Sequence, residues 1–279
     1  MPRKKSTARP AKRAPAKTPR ETEPAKIQRP FYKGSTYQSN APVDSSLQKR
    51  FIHWVCLPEH ECVPEQQVPF TENVYWRIFR IMAEFIEGFE FLSKLQREVT
   101  FFGSARTTPD SPYYKIAADL GRRCAKGGYT VITGGGPGIM EAGNKGAREG
   151  HGESVGLDIE LPMQQRRNDY VTRAIGFHYF FTRKVMLSAS AQAYVFFPGG
   201  FGTLDESTEM LCLVQTGKIP KSVPCIFVGK KFWQPLLDWI KGTLLKEKYI
   251  KAQDLDLIRL VDTAEEAYEL IRHTSSREL

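Results

Sequence analysis

No apolar run in the 279 residues is long enough to cross a bilayer as a helix, and no apolar core of a secretion signal opens the chain. The expectation is a soluble, unsecreted, cytoplasmic protein without membrane contact. Cysteine is scarce. Cys56, Cys62, Cys124, Cys212 and Cys225 are odd in number and mostly in apolar surroundings. That excludes a disulfide-stapled scaffold and points to a reducing compartment. A G-x-x-x-x-G-K-[ST] loop is absent, which argues against an NTPase of that type. The run Gly134-Gly-Gly-Pro-Gly138 falls short of the dinucleotide fingerprint G-x-G-x-x-G, because Ile139 holds the last glycine's place. Acidic residues are nearly missing from positions 1–33, which carry two Glu against eleven Lys or Arg. The remainder holds 29 residues of each sign, so the net charge of +9 belongs to the tail alone.

What is present divides into three parts. Residues 1–45 are rich in Lys, Arg, Ala, Pro, Ser and Thr. Such a segment buries too little apolar area to offset its ordering entropy and reads as a disordered tail. Residues 46–97 form an extension. Its amphipathic stretch over 70–95 places Phe70, Val74, Ile78, Met82, Phe85, Phe89 and Leu92 at three- and four-residue steps, with Thr71 as cap. That stripe should dock the helix on the main domain or contribute to a dimer. His53, Cys56, His60 and Cys62 are zinc-ligand types, but their spacing is irregular and no second Cys/His cluster lies nearby. Packed or exposed side chains are the expected outcome there, and no metal or organic cofactor is expected.

Residues 98–279 alternate between strand and helix patterns. Strands are expected at 99–103, 129–133, 154–161, 194–197, 223–228 and 257–261, with a short extended piece near Ala174. Helices are expected at 111–127, to about 149, 179–191, 203–216, 231–246 and 263–273. This is an α/β pattern: a Rossmann-like, doubly wound parallel sheet with helices on both faces. Ligands of such sheets sit at the carboxyl ends of the strands. Three loops fall on that edge: Gly103-Ser104-Ala105-Arg106, Gly134 to Met140, and Pro198 to Glu206.

The third loop is the most informative. Ala193-Tyr-Val-Phe-Phe197 is a buried-strand sequence that breaks at Pro198-Gly199-Gly200. Thr203 is expected to cap the following helix, with Asp205 and Glu206 in its first turn. A glycine turn feeding a helix N-terminus offers free N–H groups and a positive dipole end to an anion. Glu206 beside such a site is electrostatically awkward. It is either a catalytic or ribose-binding carboxylate or an ordinary dipole partner.

These residues resemble a known family. Pro198-Gly-Gly-Phe-Gly-Thr-Leu-Asp-Glu206 is similar to the PGGxGTxxE signature of the Lonely Guy (LOG) proteins, often labelled lysine-decarboxylase-like. Thr133 to Glu141 resembles that family's second glycine motif, and Thr182-Arg-Lys-Val-Met186 its Arg-Lys segment. Together the resemblance spans about residues 98–230. It implies a modified Rossmann fold, a homodimer, and hydrolysis of nucleoside 5′-monophosphates to free base and ribose 5-phosphate. Substrates would be AMP-like or cytokinin riboside monophosphates. It further implies Arg183 and Glu206 as the catalytic pair. Gly199, Gly200, Gly202 and Thr203 would bind phosphate, and Gly135, Gly136 and Met140 would shape the ribose side. Lys184 joins the substrate-binding set, Glu141 either binds a ribose hydroxyl or is a helix-dipole partner, Ser104 and Arg106 are second-rank candidates, and His178 and Tyr179 could stack on the base. Two departures, the shorter GGGPGIM run and the long N-terminal extension, weigh toward general nucleotide cleavage rather than cytokinin activation. A pyridoxal-dependent decarboxylase would need a Schiff-base lysine with a partner for the pyridine nitrogen, and no such set accompanies Lys184. The alternative from another class is a nucleotide sensor that uses the same loops without Glu206 chemistry.

The basic tail carries its own test. If it contacts a polyanion, deleting residues 1–40 lowers retention on DNA or RNA at low salt. Unchanged retention would leave it a solvated tail.

Overall fold

The computed structural model describes residues 54–55, 63–64, 74–160, 167–189 and 191–275. The basic tail, the candidate ligands His53, Cys56, His60 and Cys62, and Thr71 lie outside the described residues. Chain elements run in the order β1 (Trp54–Val55), β2 (Val63–Pro64), α1 (Val74–Leu92), β3 (Glu98–Phe102), α2 (Pro112–Lys126), β4 (Thr130–Thr133), α3 (Ile139–Glu149) and β5 (Ser154–Ile159). They continue with β6 (Arg173–Phe177), α4 (Phe180–Ala189), β7 (Ala193–Phe196), α5 (Phe201–Gln215), β8 (Cys225–Val228) and α6 (Lys230–Trp239). A π-helical stretch (Ile240–Leu245), a 3-10 helix (Ala252–Leu257), β9 (Ile258–Val261) and α7 (Ala264–Arg272) complete the fold.

Seven parallel strands form one sheet in the order β6-β5-β4-β3-β7-β8-β9, while β1 and β2 pair antiparallel by themselves. Strands β3, β4, β7 and β8 are buried throughout, which explains why their sequences are unbroken runs and not alternations. Successive side chains serve opposite faces. Phe101, Val131, Val195 and Ile226 join the layer with α2, α3 and α7. Phe102, Ile132, Phe196 and Phe227 pack the layer with α1, α4, α5 and α6. Chain order reverses direction in the sheet between β3 and β7, so the crevice at their carboxyl ends is the topological switch point.

Small residues let α2 and α3 approach closely. A Cβ on Gly121 would fall on the Gly143 carbonyl oxygen, and one on Gly146 on the Ala118 carbonyl oxygen. The caps follow local chemistry. Ser111 accepts from the Tyr113 N–H at 3.3 Å with Pro112 at the first position, and Thr263 with Glu266 forms a capping box on α7.

Several expectations need correction. The stripe of α1 docks only in part: Phe85 and Leu92 pack on the core, whereas Val74, Ile78, Met82 and Phe89 are exposed, together with Tyr75, Phe79 and Ile86. Contact is made through Gly88 and Leu92, with Phe85 and Phe91 packed beside them. Gly88 sets that face, because a Cβ there would stand 2.6 Å from Met186 Sδ. The extended piece near Ala174 is a full edge strand paired with β5 from Val155↔Arg173 to Ile159↔Phe177. Its half-buried residues had no clear alternation to announce it. The helix expected at 231–246 is α-helical only to Trp239 and then π-helical. Pro235 stands inside it and withholds one N–H from the ladder.

The α2–α3 contact predicts an inverted response to a helix-promoting change. Alanine normally favours a helix over glycine by about 1 kcal/mol. Gly146→Ala should nonetheless destabilise by roughly 2 kcal/mol in urea denaturation, because a carbonyl blocks the methyl group. Equal or greater stability would show that the helices can separate without cost.

Candidate active site

The three carboxyl-edge loops meet, and one residue joins them. The Ser104 N–H donates to the Pro198 carbonyl at 3.1 Å, and the Ser104 carbonyl accepts from the Ile139 N–H at 3.1 Å. Two glycines are required by this closeness. A Cβ on Gly103 would stand 2.6–2.8 Å from Ile139, and Gly138, at φ +72°, would drive one into the Ser104–Ala105 backbone. The loops enclose a cleft of about 540 Å³. Its walls include Ser104, Arg106, Gly134, Met140, Arg183 and Glu206, and the first turn of α5 from Gly200 to Thr203.

Helix α5 begins three residues earlier than its sequence implied, with its cap at 200 and not at 203. Gly200 is the N-cap and supplies no side-chain hydrogen bond, so Thr203 is not the cap. Thr203 is a buried third residue whose hydroxyl lies over Gly199, where a Cβ would strike it. Asp205 and Glu206 therefore stand beyond the first turn. Glycine at 199 is what lets Thr203 fold back. The first N–H groups of α5 thus lack both intrahelical partners and a side-chain cap, at a helix start that lines the cleft.

Glu206 is half-buried and reaches back along α5, its Oε2 lying 4.0 Å from where a Cβ on Gly202 would be. Burial pushes its carboxyl up to about 7, against the pull of Arg183 and with a push from Asp205. Arg183 is 8% exposed on α4. Its Nε donates to the Leu157 carbonyl at 2.6 Å, and its guanidinium packs on Gly134, where no side chain could fit. Burial lowers the Arg183 pKa, and the charges of Glu206 and Asp158 oppose that.

Polar groups outside the cleft hold these pieces. Glu84 of α1 caps α4 from a distance. Its carboxylate accepts from the His178 N–H at 2.8 Å, the Tyr179 N–H at 3.3 Å and the Thr182 hydroxyl at 2.5 Å. Asn168 donates to the carbonyls of Gly135 and Gly136 and to Asn144 Oδ1, each at 3.0 Å. Thr133 donates to the same Asn144 oxygen at 2.6 Å and accepts from the Gly135 N–H at 3.0 Å. Neither network was legible in the sequence; a polar Asn144 within a helix whose neighbours are buried was the only signal.

Of the residues named from sequence, Arg183, Glu206, Ser104, Arg106, Met140, Gly200, Gly202 and Thr203 line the cleft. Gly135, Gly136, Gly199, Glu141 and Lys184 are not in its wall. Gly135 and Gly136 form the loop that Asn168 holds. Glu141 accepts from the Tyr114 hydroxyl at 2.8 Å. Lys184 binds both Asp205 oxygens at 2.9 Å and lies 3.2 Å from Glu209, so its ammonium ties α4 to α5. His178 and Tyr179 also stand outside. They pack edge-on at 4.9 Å, with His178 beside Glu160 at 3.1 Å. Phe180 and Phe201 line the cleft instead; Phe201 is a variable position of the Pro198–Glu206 motif, and no motif announced Phe180. Among the described residues no three His, Cys, Asp or Glu side chains gather as a metal set, and no helix is long and apolar enough to cross a membrane.

Residues 140–271 match a family model described as possible lysine decarboxylase. Over 184 residues the chain is 29% identical to the cytokinin riboside 5′-monophosphate phosphoribohydrolase LOG of Oryza sativa subsp. japonica, covering 64% of this chain and 72% of that protein. A cytokinin riboside 5′-monophosphate phosphoribohydrolase of Rhodococcoides fascians is 26% identical over 149 residues, or 52% of this chain and 74% of that protein. Among solved structures, the X-ray structure of TM1055, a structural genomics target, is 28% identical with a TM-score of 0.47, covering 63% of this chain and 98% of that one.

The state of Glu206 predicts a stability effect. Its ordinary pKa is 4.5, so the folded chain holds the proton more tightly than the unfolded chain does. That contribution is complete below about 4.5 and is lost as pH rises through 7. Glu206→Gln should melt roughly 3 °C above wild type at pH 8, with the gain vanishing near pH 5. A gain that does not change with pH would mean the carboxyl is not held high.

Proposed function

Because the chain is a LOG-family protein, we propose that it hydrolyses the N-glycosidic bond of a nucleoside 5′-monophosphate, giving free base and ribose 5-phosphate. The observation that carries this reading is the meeting of Arg183 and Glu206 in one cleft with the open helix start of α5. The first turn of α5 suits the 5′-phosphate. Glu206, deeper along the same helix, suits the sugar carbon. As the carbon–nitrogen bond breaks, its electron pair leaves with the base and positive charge develops on the ribosyl carbon. A carboxylate there stabilises that charge and takes the proton of the attacking water. Arg183 keeps its proton under all ordinary conditions and acts through charge, on the phosphate or the ribosyl oxygens. No metal or organic cofactor has a part in this scheme.

The remaining parts of the proposal are coarser. Residues 1–45 form a tail, 46–97 an extension and 98–279 the catalytic domain. A second copy of the chain suits the exposed apolar face of α1, and Phe181 and Val185 of α4 are exposed as well. Cys124, Cys212 and Cys225 are free thiols, which suits a cytoplasmic setting.

A panel of nucleoside monophosphates, AMP and a cytokinin riboside monophosphate included, tests the reading by release of free base. Wild type should release base with kcat/KM rising as pH climbs through about 7, where Glu206 ionises. Glu206→Ala should lose at least about a hundredfold in kcat. Binding without release by either protein would identify a sensor instead. Light scattering on the same sample should return twice the chain mass.

A further inference from the structure

Two aromatic side chains at the mouth of the cleft are not accounted for by packing. Phe180 opens α4 and Phe201 opens α5. Both line the cleft, yet Phe180 is 47% exposed and Phe201 is 92% exposed. Their neighbours are engaged: Tyr179 packs tilted against Phe181 at 5.5 Å and edge-on against His178 at 4.9 Å. Helix periodicity relates the pair to the charged residues. Phe180 precedes Arg183 by three positions and Leu187 by seven, and all three line the cleft, so they form one face of α4. Phe201 precedes Glu206 by five positions on α5.

The helices share a direction. Each begins at the carboxyl edge of the sheet, α4 after β6 and α5 after β7, so both phenylalanines stand at the rim while Arg183 and Glu206 stand deeper. Leaving two large apolar rings in water forgoes the burial that normally stabilises them. A flat apolar ligand surface would recover it. Phe101 and Phe102 also line the cleft, but they are buried and packed on Phe197 and Phe196, so their faces are already covered. Ser104, Arg106, Thr203 and the α5 N-terminus are hydrogen-bonding or charged groups suited to phosphate and sugar. Met140, Ile159 and Leu187 are aliphatic or thioether groups without a flat face.

We propose that Phe180 and Phe201 form a stacking platform that holds the base of the nucleotide at the cleft mouth, making planar purine-type rings the favoured leaving groups. The proposal rests on the nucleotide reading of this site, and it replaces His178 and Tyr179 as the base contacts. It also assigns a route: a base held at the rim departs to solvent without crossing the Arg183–Glu206 pair. Stacking on an aromatic side chain is tolerant of ring substituents, so the platform sets a preference for ring area and not for a single base.

The experiment compares AMP with ribose 5-phosphate, which has the same phosphate and sugar but no base. In Phe180→Ala and Phe201→Ala, KM for AMP should rise about tenfold with kcat changed less than threefold. Inhibition by ribose 5-phosphate should be unchanged, and Phe180→Trp should restore AMP affinity. An unaltered KM, or equal weakening of both ligands, overturns the platform. Dissociation of the oligomer in either alanine variant, measured by light scattering, also overturns it, since the ring would then belong to a subunit contact. Should wild type release no base from any monophosphate, the hydrolase reading fails by itself. Calorimetric binding of AMP against ribose 5-phosphate to the same variants then still decides the platform.

Discussion

The backbone of Ser104 is the constraint on which the site depends. Its N–H and carbonyl join the loops that follow β7 and β4 to the loop that follows β3. Each bond is an ordinary one, worth on the order of 1 kcal/mol. Their effect is geometric, because they draw three strand ends to one point at the switch of the sheet. Gly103 and Gly138 are the sequence's accommodation to that closeness. A side chain at either position would part the loops and widen the cleft.

Electrostatics at that point is arranged around one buried guanidinium. Arg183 is held by a carbonyl of β5 and by packing on Gly134, while the helix that bears it is capped by Glu84 from another element. A buried cation needs compensation. Glu206 and Asp158 supply it through charge, without a hydrogen bond to the guanidinium. Glu206 is consequently the less satisfied partner and its carboxyl rises toward neutrality. A carboxyl held this way changes its charge near neutral pH. Lys184, one residue along, contrasts with this: it is paired with two carboxylates and joins helices.

Apolar surface is unevenly distributed as well. The layers on both faces of the sheet are closed, whereas α1 docks by one short face and leaves a long stripe in water. Such a stripe is larger than isolated exposed residues would be and calls for a covering surface. Phe181 and Val185, on the helix that carries Arg183, are exposed as well.

Much of the architecture was legible in the chain. Buried central strands are written as apolar runs, the glycine turns punctuate them, and Thr263 with Glu266 announces the last helix. The motif Pro198 to Glu206 located the cleft, since a strand, a glycine bend and a helix start are all local features. What lay beyond reach was relational. The sequence could not say that Glu84 caps a helix 94 residues later or that Asn168 holds the glycine loop, because both bonds join segments distant along the chain. It could not tell that Lys184 points to α5 and Arg183 to the cleft, since adjacent helical positions differ only by a rotation of about 100° whose reference is the packing of the helix. Nor could it show that the α1 stripe faces water: periodicity establishes that an apolar face exists, and only the tertiary structure decides what that face meets.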